Sequence, residues 1–110
     1  MNKDELILID IPYSPCQLFI YTGSGRLDFV SRVQKLCPEI NYIDDATSDG
    51  MNWMNNIYIE DMTDINVLIH EVSHFLDWLF TEMMIQEEGE FKANIMAHVF
   101  TELFERKELK

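Results

Sequence analysis

Apolar residues in the first part of the chain form two short continuous runs. Residues 5–11 (ELILIDI) and 16–22 (CQLFIYT) are rich in Ile, Leu and aromatic side chains, and prolines and a serine lie between them. Runs of this kind, bounded by turn-forming residues, are typical of β-strands. Gly23, Ser24 and Gly25 then interrupt the pattern, so the first two elements are expected to be strands.

The pattern then alternates between helical and extended spacing. Leu27, Val30, Val33 and Leu36 recur at helical intervals before a proline, which predicts a helix. Residues 40–43 (INYI) are predicted to form a third short strand, and residues 46–56 (ATSDGMNWMNN) a loop. Residues 56–60 (NIYIE) have polar ends around an apolar middle, which predicts a fourth strand with one wetter face.

Two helices are predicted after these strands. The first begins near Thr63 or Asp64, both of which suit an N-cap. Its apolar stripe consists of Ile65, Leu68, Val72, Phe75 and Leu79. At about 100° per residue, His70 and His74 project roughly opposite that stripe. Gly89 interrupts the pattern, and a last helix is predicted over residues 90–107.

The predicted order is strand, strand, helix, strand, strand, helix, helix. This order indicates an α+β fold with a small mixed β-sheet on one side and helices packed over it. A chain of 110 residues, of which 47% are hydrophobic, suits a single domain over residues 1–110 with one modest core. Any active site is therefore expected on the core elements themselves.

Charge and cysteine content narrow the class of protein. The formal net charge of -12 disfavours nucleic-acid binding, and is expected either to provide solubility or to attract a basic protein partner. No apolar stretch reaches the length of a membrane span, and the first apolar run is too short and too acidic for a signal peptide. Cys16 and Cys37 show no CxxC spacing and are expected to be reduced, buried thiols. These features predict a soluble, cytoplasmic protein.

The stretch LIHEVSHFL, residues 68–76, carries the candidate chemistry. His70 and His74 lie one helical turn apart, so both imidazoles emerge on the same face and can reach one ion. Glu71 follows the first histidine at the edge of that face, where it can reach an attacking water without displacing a ligand. This HExxH arrangement predicts a Zn²⁺ site with Glu71 as general base.

Two histidines do not complete a catalytic zinc site, which takes three protein ligands and a water. Position 80 is a phenylalanine, so the third ligand must come from further along, where Glu90, His98 and Glu102 are available. If the motif helix continued to position 88 and turned back tightly, Glu90 would lie about 15–20 Å from His74, which favours His98 or Glu102. Glu90 can bind only if the motif helix ends by about residues 81–84.

A family resemblance favours Glu90. The segment EFKANIMA, with Glu90, Ala93, Asn94 and Ala97, resembles the ExxAN…A pattern that follows HExxH in ImmA/IrrE-type peptidases. More loosely, HEVSHFLDWLF followed by EFKANIMAHVF is similar to small phage-encoded proteins of zincin type. The resemblance covers roughly residues 56–104.

The resemblance implies specific roles for these residues. As in gluzincins, zinc would be held by His70, His74 and Glu90. Ala93 and Ala97 would be small to let the two helices approach closely. The strand NIYIE, residues 56–60, would be an edge strand that binds an extended peptide.

Three further residues are candidate site residues, and each of them also has a purely structural interpretation. Asp77 either accepts a hydrogen bond from a histidine ring and so orients that ring, or is a solvated surface residue. His98 is either a transition-state donor or a histidine on the helix surface. Tyr58 either serves the oxyanion, or packs or faces water as tyrosines on edge strands do.

The sequence therefore predicts a zinc-dependent metallopeptidase acting on a narrow protein or peptide target, because a chain this short has no second lobe to form a deep cleft. The substrate would pair along residues 56–60 by strand addition. The alternative is a small acidic binding or inhibitory protein on a zincin scaffold without catalysis. A purely structural zinc site, whose removal unfolds the chain, is a third possibility.

Overall fold

The computed structural model describes residues 6–12, 14, 16–38, 49–83 and 89–106. The α+β class with a small mixed sheet is confirmed over this part of the chain. The elements are β1 (Leu6–Asp10), β2 (Gln17–Thr22), α1 (Arg26–Leu36), β3 (Gly50–Trp53), β4 (Asn56–Ile59), α2 (Ile65–Glu82) and α3 (Gly89–Glu105).

The four strands form one mixed sheet in the order β1-β2-β4-β3. β1 runs antiparallel to β2, β2 runs parallel to β4, and β3 runs antiparallel to β4. β4 is therefore an interior strand, and the prediction that residues 56–60 form a sheet edge is wrong. Because β2 and β3 occupy both sides of β4, a peptide cannot add to it.

The third strand does not lie where the sequence predicted it. Residues 50–53 of the predicted loop form β3, which pairs with β4 through the two-residue turn Met54–Asn55. The predicted strand at residues 40–43 lies outside the described residues. Met54 has a φ of 55°, a conformation usually taken by Gly or Asn in hairpin turns, which explains why the local sequence gave no hairpin signal.

All four residues of β4 are buried, so the predicted wetter face is also wrong. Successive side chains of a strand point to opposite faces of the sheet. Ile57 and Ile59 pack under α2, whereas Tyr58 packs under α1 with Phe29. Asn56 is buried because its Oδ1 accepts a hydrogen bond from Arg32 Nε of α1 (3.1 Å).

Two apolar clusters thus cover the two faces of the sheet. The larger cluster joins β1, β2 and β4 to α2 and α3, and the smaller one joins the opposite face to α1. No helix in the described part of the chain is both long and apolar enough to cross a membrane. Cys16 and Cys37 are free thiols that are half-buried rather than fully buried, and partial burial raises the pKa of Cys16 above its ordinary value.

Candidate functional site

The motif helix α2 is set by its N-cap and its apolar stripe. Asp64 accepts a hydrogen bond at Oδ1 from the Val67 N–H (3.3 Å), which satisfies one of the free donors of the first turn. Four of the five stripe residues are buried, namely Leu68, Val72, Phe75 and Leu79, whereas Ile65 is 43% exposed. His70 and His74 are exposed on the side away from the stripe, as predicted.

His70 and His74, the histidine pair, bring their Nε2 atoms to 3.2 Å from each other. The two rings lie nearly perpendicular, at 83°, with centroids 4.6 Å apart. Two nitrogens that each lie about 2.0–2.1 Å from a tetrahedral zinc ion are about 3.3–3.4 Å apart, so the pair fits two corners of such a site. The same spacing also suits a hydrogen bond in which one ring donates its Nε2–H to the other.

Glu71 lies beside the pair but is buried, with 5% of its surface exposed. Its Oε1 accepts a hydrogen bond from Asn52 Nδ2 of β3 (3.0 Å). Gly50 leaves the space for its side chain, because a Cβ at Gly50 would lie 2.8 Å from Glu71 Oε2 and 2.9 Å from its Cγ. The predicted general base is thus held between α2 and β3, at the margin of the exposed face that carries the histidines.

The end of α2 meets the requirement for Glu90 to be a ligand, which is that the motif helix ends by about residues 81–84. α2 ends at Glu82 and α3 begins at Gly89, so the motif helix stops within the range that Glu90 requires. Glu90 itself is exposed in the first turn of α3. Within the described ranges, no three or more His, Cys, Asp or Glu side chains form a group that could hold a metal ion. The role of Glu90 therefore stays a prediction.

The face of α3 that carries Glu90 points away from the core. The buried stripe of α3 consists of Ile95, Val99 and Leu103, and Val99 projects roughly opposite Glu90 at about 100° per residue. Ala93 and Ala97 are exposed. The expectation that these two alanines let the helices approach is therefore wrong.

Asp77 has a different partner from the one predicted. Its Oδ1 accepts a hydrogen bond from Lys92 Nζ of α3 (2.7 Å), and the Lys92 ammonium also lies 5.8 Å from the centre of the Phe80 ring. The carboxylate of Asp77 is 67% exposed. The structure thus makes Asp77 a link between α2 and α3 and gives no hydrogen bond from it to a histidine ring.

His98 and Glu102 lie on α3 with partners of their own. His98 Nε2 is 2.9 Å from the backbone carbonyl oxygen of Asp10, at the end of β1. Because a carbonyl oxygen only accepts, this nitrogen carries the proton and is not free to bind a metal. Glu102 pairs with Arg106 one turn later (3.4 Å). Since β1 and β3 are opposite edges of the sheet, His98 lies across the sheet from the seat of Glu71.

Tyr58 lies on the wrong face of the sheet for a role at the histidine pair. It is buried under α1, where its hydroxyl donates to the Gly23 carbonyl oxygen (3.0 Å) and Arg26 stacks over its ring at 4.7 Å. α2 and the histidine pair lie on the other face. The predicted role for Tyr58 at the oxyanion is therefore wrong, because its hydroxyl is used inside the core.

A cavity of about 160 Å³ lies at the N-terminal end of α2 and is termed the acidic cavity. Its lining consists of Asp49, Glu60, Asp61, Asp64 and Val67. The hydroxyl and the backbone N–H of Thr63 both donate to Asp61 Oδ1 and hold the pKa of Asp61 below its ordinary value. Val67 also lies against Gly50, so the cavity adjoins the place where Glu71 is seated.

The sequence did not reveal three residues that contact the candidate site residues. Gly50 and Asn52 were assigned to a loop, and Lys92 carried no recognised signal. The spacing of the two strand residues, with side chains that point to one face of β3, becomes informative only once the hairpin is known. Lys92 of α3 pairs with Asp77 of α2, and no local sequence pattern indicates such a contact between two helices.

The chain was compared with protein-family models, curated proteins and solved structures, and none of the three comparisons found a match.

Proposed function

We propose that this chain is a zinc-dependent metallopeptidase of narrow specificity. The observation that carries the proposal is the histidine pair, whose Nε2 atoms are 3.2 Å apart on an exposed helix face beside a seated glutamate. Imidazole nitrogen is a preferred zinc ligand, and a buried carboxylate next to such a pair is suited to proton transfer. The free thiols of Cys16 and Cys37 support action in a reducing compartment such as the cytoplasm.

In this proposal, His70, His74 and Glu90 would hold a zinc ion, and the ion would supply a Lewis acid for the peptide carbonyl and the attacking water. Glu71 takes a proton from the attacking water and passes it to the departing amine. Before that proton transfer, Asn52 keeps the Glu71 carboxylate hydrogen-bonded on the side of β3.

Glu90 becomes a ligand if the first turn of α3 moves toward the histidine pair when zinc binds. The exposed position of Glu90 leaves its carboxylate free of core packing, and α2 ends soon enough to permit the approach. Metal binding that draws a ligand from a neighbouring element is coupled to a conformational change, so zinc affinity reports on it.

The peptide substrate is proposed to add to β3 rather than to β4. β3 is at the end of the strand order, and among the described residues it pairs with β4 alone. Gly50 and Asn52 of this strand contact Glu71, so a peptide paired with β3 would run past the proposed base. Strand addition supplies main-chain hydrogen bonds, and the neighbouring side chains supply selectivity.

The first experiment measures zinc by elemental analysis in the untagged protein and in His70→Ala/His74→Ala. About one zinc per chain in the wild type and none in the double variant is expected. His98→Gln is the matched control, because it removes the remaining histidine of the chain and should leave the zinc content unchanged. Absence of zinc in the wild type after zinc is supplied would rule the proposal out.

The second experiment tests catalysis with Glu71→Gln. Glutamine has the same shape, and its carbonyl oxygen can still accept from Asn52, so folding and zinc content should persist. Hydrolysis of a defined peptide library, followed by mass spectrometry, should fall by about 10²–10⁴-fold. Equal hydrolysis by both proteins would show that Glu71 is not the base.

A second candidate function is a binding protein without catalysis, which the acidic cavity favours. Its four carboxylate side chains would attract a basic segment of a partner protein, although Glu60 already pairs with Arg26 (3.3 Å). In that case the biological effect would survive Glu71→Gln and would weaken with Asp49→Asn/Asp61→Asn. The metallopeptidase proposal predicts the reverse dependence on Glu71.

A further inference from the structure

Asn52 occupies an unusual place for its residue type. It lies within β3, and asparagine is depleted in strands because it packs poorly on a pleated surface. Its amide nitrogen donates to Glu71 Oε1 (3.0 Å), in the buried space between β3 and α2. This bond holds Glu71 Oε1 on the β3 side of the space between the two elements.

We propose that Asn52 is a positioning residue that holds Glu71 back from the zinc ion, with Gly50 providing the space for the carboxylate. This inference rests on the proposed function. It assigns separate roles to the two elements: α2 supplies the two histidine ligands and the base, and β3 keeps the base from becoming a ligand.

The reason is a competition for one carboxylate. The proposed ligands His70, His74 and Glu90 leave one position of a tetrahedral zinc ion open, and carboxylate oxygen is an accepted ligand there. Glu71 lies next to His70 in sequence and three residues before His74 on the helix, so its carboxylate is a neighbour of both histidines and can compete as a ligand. A carboxylate bound to zinc cannot accept the proton of the attacking water. The amide of Asn52 opposes that change by binding Oε1 on the β3 side.

The inference predicts a signature that structural damage does not produce. Asn52→Ala should bind zinc up to about tenfold more tightly, because the hydrogen bond that competes for the Glu71 carboxylate is lost and the carboxylate is free to act as a further ligand. In the Glu71→Gln background the same change should leave zinc affinity unaltered, because a neutral amide does not replace a carboxylate at the ion. A merely structural asparagine would weaken zinc binding, or leave it unchanged, in both backgrounds.

The test is zinc competition with a chromophoric chelator on the wild type, the two single variants and the double variant. Asn55→Ala is the matched control, because Asn55 lies in the same hairpin and donates instead to the Gln17 carbonyl oxygen (2.8 Å). This control should leave zinc affinity unchanged. If the alanine variant does not fold, Asn52→Leu, similar in size and lacking the donor, replaces it.

Tighter zinc binding that depends on Glu71 supports the inference. Zinc affinity that is unchanged or weaker in Asn52→Ala overturns it, while the proposed function stands if the wild type binds zinc and needs Glu71 for hydrolysis. A wild type that binds no zinc overturns the proposed function and this inference together, so the two failures are distinguished by the wild-type measurement.

Discussion

Lys92 donates to Asp77 across 2.7 Å, and this ion pair joins the first turn of α3 to the motif helix close to His74. Glu90, the predicted third ligand, lies in the same turn of α3. The pair therefore tethers the first turn of α3, which carries Glu90, to α2 and keeps it within reach of the histidine pair as it moves. Its effect is expected on the metal site more than on global stability.

Lys92→Met should weaken zinc binding by about three- to tenfold while changing the free energy of unfolding by about 0–1 kcal/mol. The small stability effect follows from the exposure of Asp77, whose side chain is 67% exposed, while Lys92 is only partly buried. Glu102→Gln is the control, because it breaks the Arg106 pair in the last turn of the same helix. Chelator competition and urea unfolding measure the two quantities. Equal zinc affinities in both variants would refute the link between the pair and the site.

Glu90→Gln tests the third ligand directly. It should weaken zinc binding by at least about tenfold, because an amide oxygen is a poorer zinc ligand than a carboxylate. Glu105→Gln removes the same charge from the other end of α3 and should have little effect. If His98→Gln rather than Glu90→Gln lowers the affinity, the hydrogen bond from His98 to Asp10 must give way in the zinc-bound protein.

Removal of zinc should leave the fold in place. The histidine pair lies on the exposed face of α2, whereas the helix is held to the sheet by an apolar stripe that includes Leu68 and Phe75. Circular dichroism should therefore be unchanged after chelation, with only the stabilisation due to ligand binding lost. Collapse of the signal would instead indicate a structural zinc site.

The part of the site that could be predicted from the sequence lies within a single helix, α2. The Asp64 cap, the apolar stripe and the opposed histidines all follow from a period of 3.6 residues, and the structure confirms them. These features depend on neighbours within a few residues along the chain. A strong helical period therefore gave both the element and the face on which the pair lies.

The surroundings of Glu71 could not be predicted in this way. β3 has a non-glycine residue at positive φ in its turn, Met54, so the hairpin lacks the usual Asn-Gly signal. The polar residues of β4, Asn56 and Tyr58, are buried with distant partners: Arg32 of α1 for Asn56, and the Gly23 carbonyl oxygen, in the turn before α1, for Tyr58. These partners lie far away in sequence, so the pattern of polar residues in β4 predicts an exposed face that the structure does not have.

Tyr58→Phe separates the core role of this tyrosine from the predicted catalytic one. The change removes the hydrogen bond to the Gly23 carbonyl oxygen and should lower the free energy of unfolding by about 0.5–1.5 kcal/mol. Zinc affinity and any hydrolysis should be unchanged, because Tyr58 lies on the opposite face of the sheet. A loss of hydrolysis at unchanged stability would contradict this placement.

Gly50→Ala should destabilise the protein by about 1–3 kcal/mol, because the new Cβ would lie 2.8 Å from both Glu71 Oε2 and Val67 Cγ1. Either the carboxylate or the strand must shift to make room. The conflict has two parts, and only one of them involves Glu71.

A double-mutant cycle with Glu71→Ala separates the two parts. Shortening Glu71 removes the contacts with its Oε2 and Cγ and leaves the Val67 contact, so Gly50→Ala should cost less in that background. Urea unfolding of the four proteins gives the coupling free energy. An equal cost in both backgrounds would mean that β3 meets Val67 rather than the carboxylate, and that Gly50 does not provide the space in which Glu71 is seated.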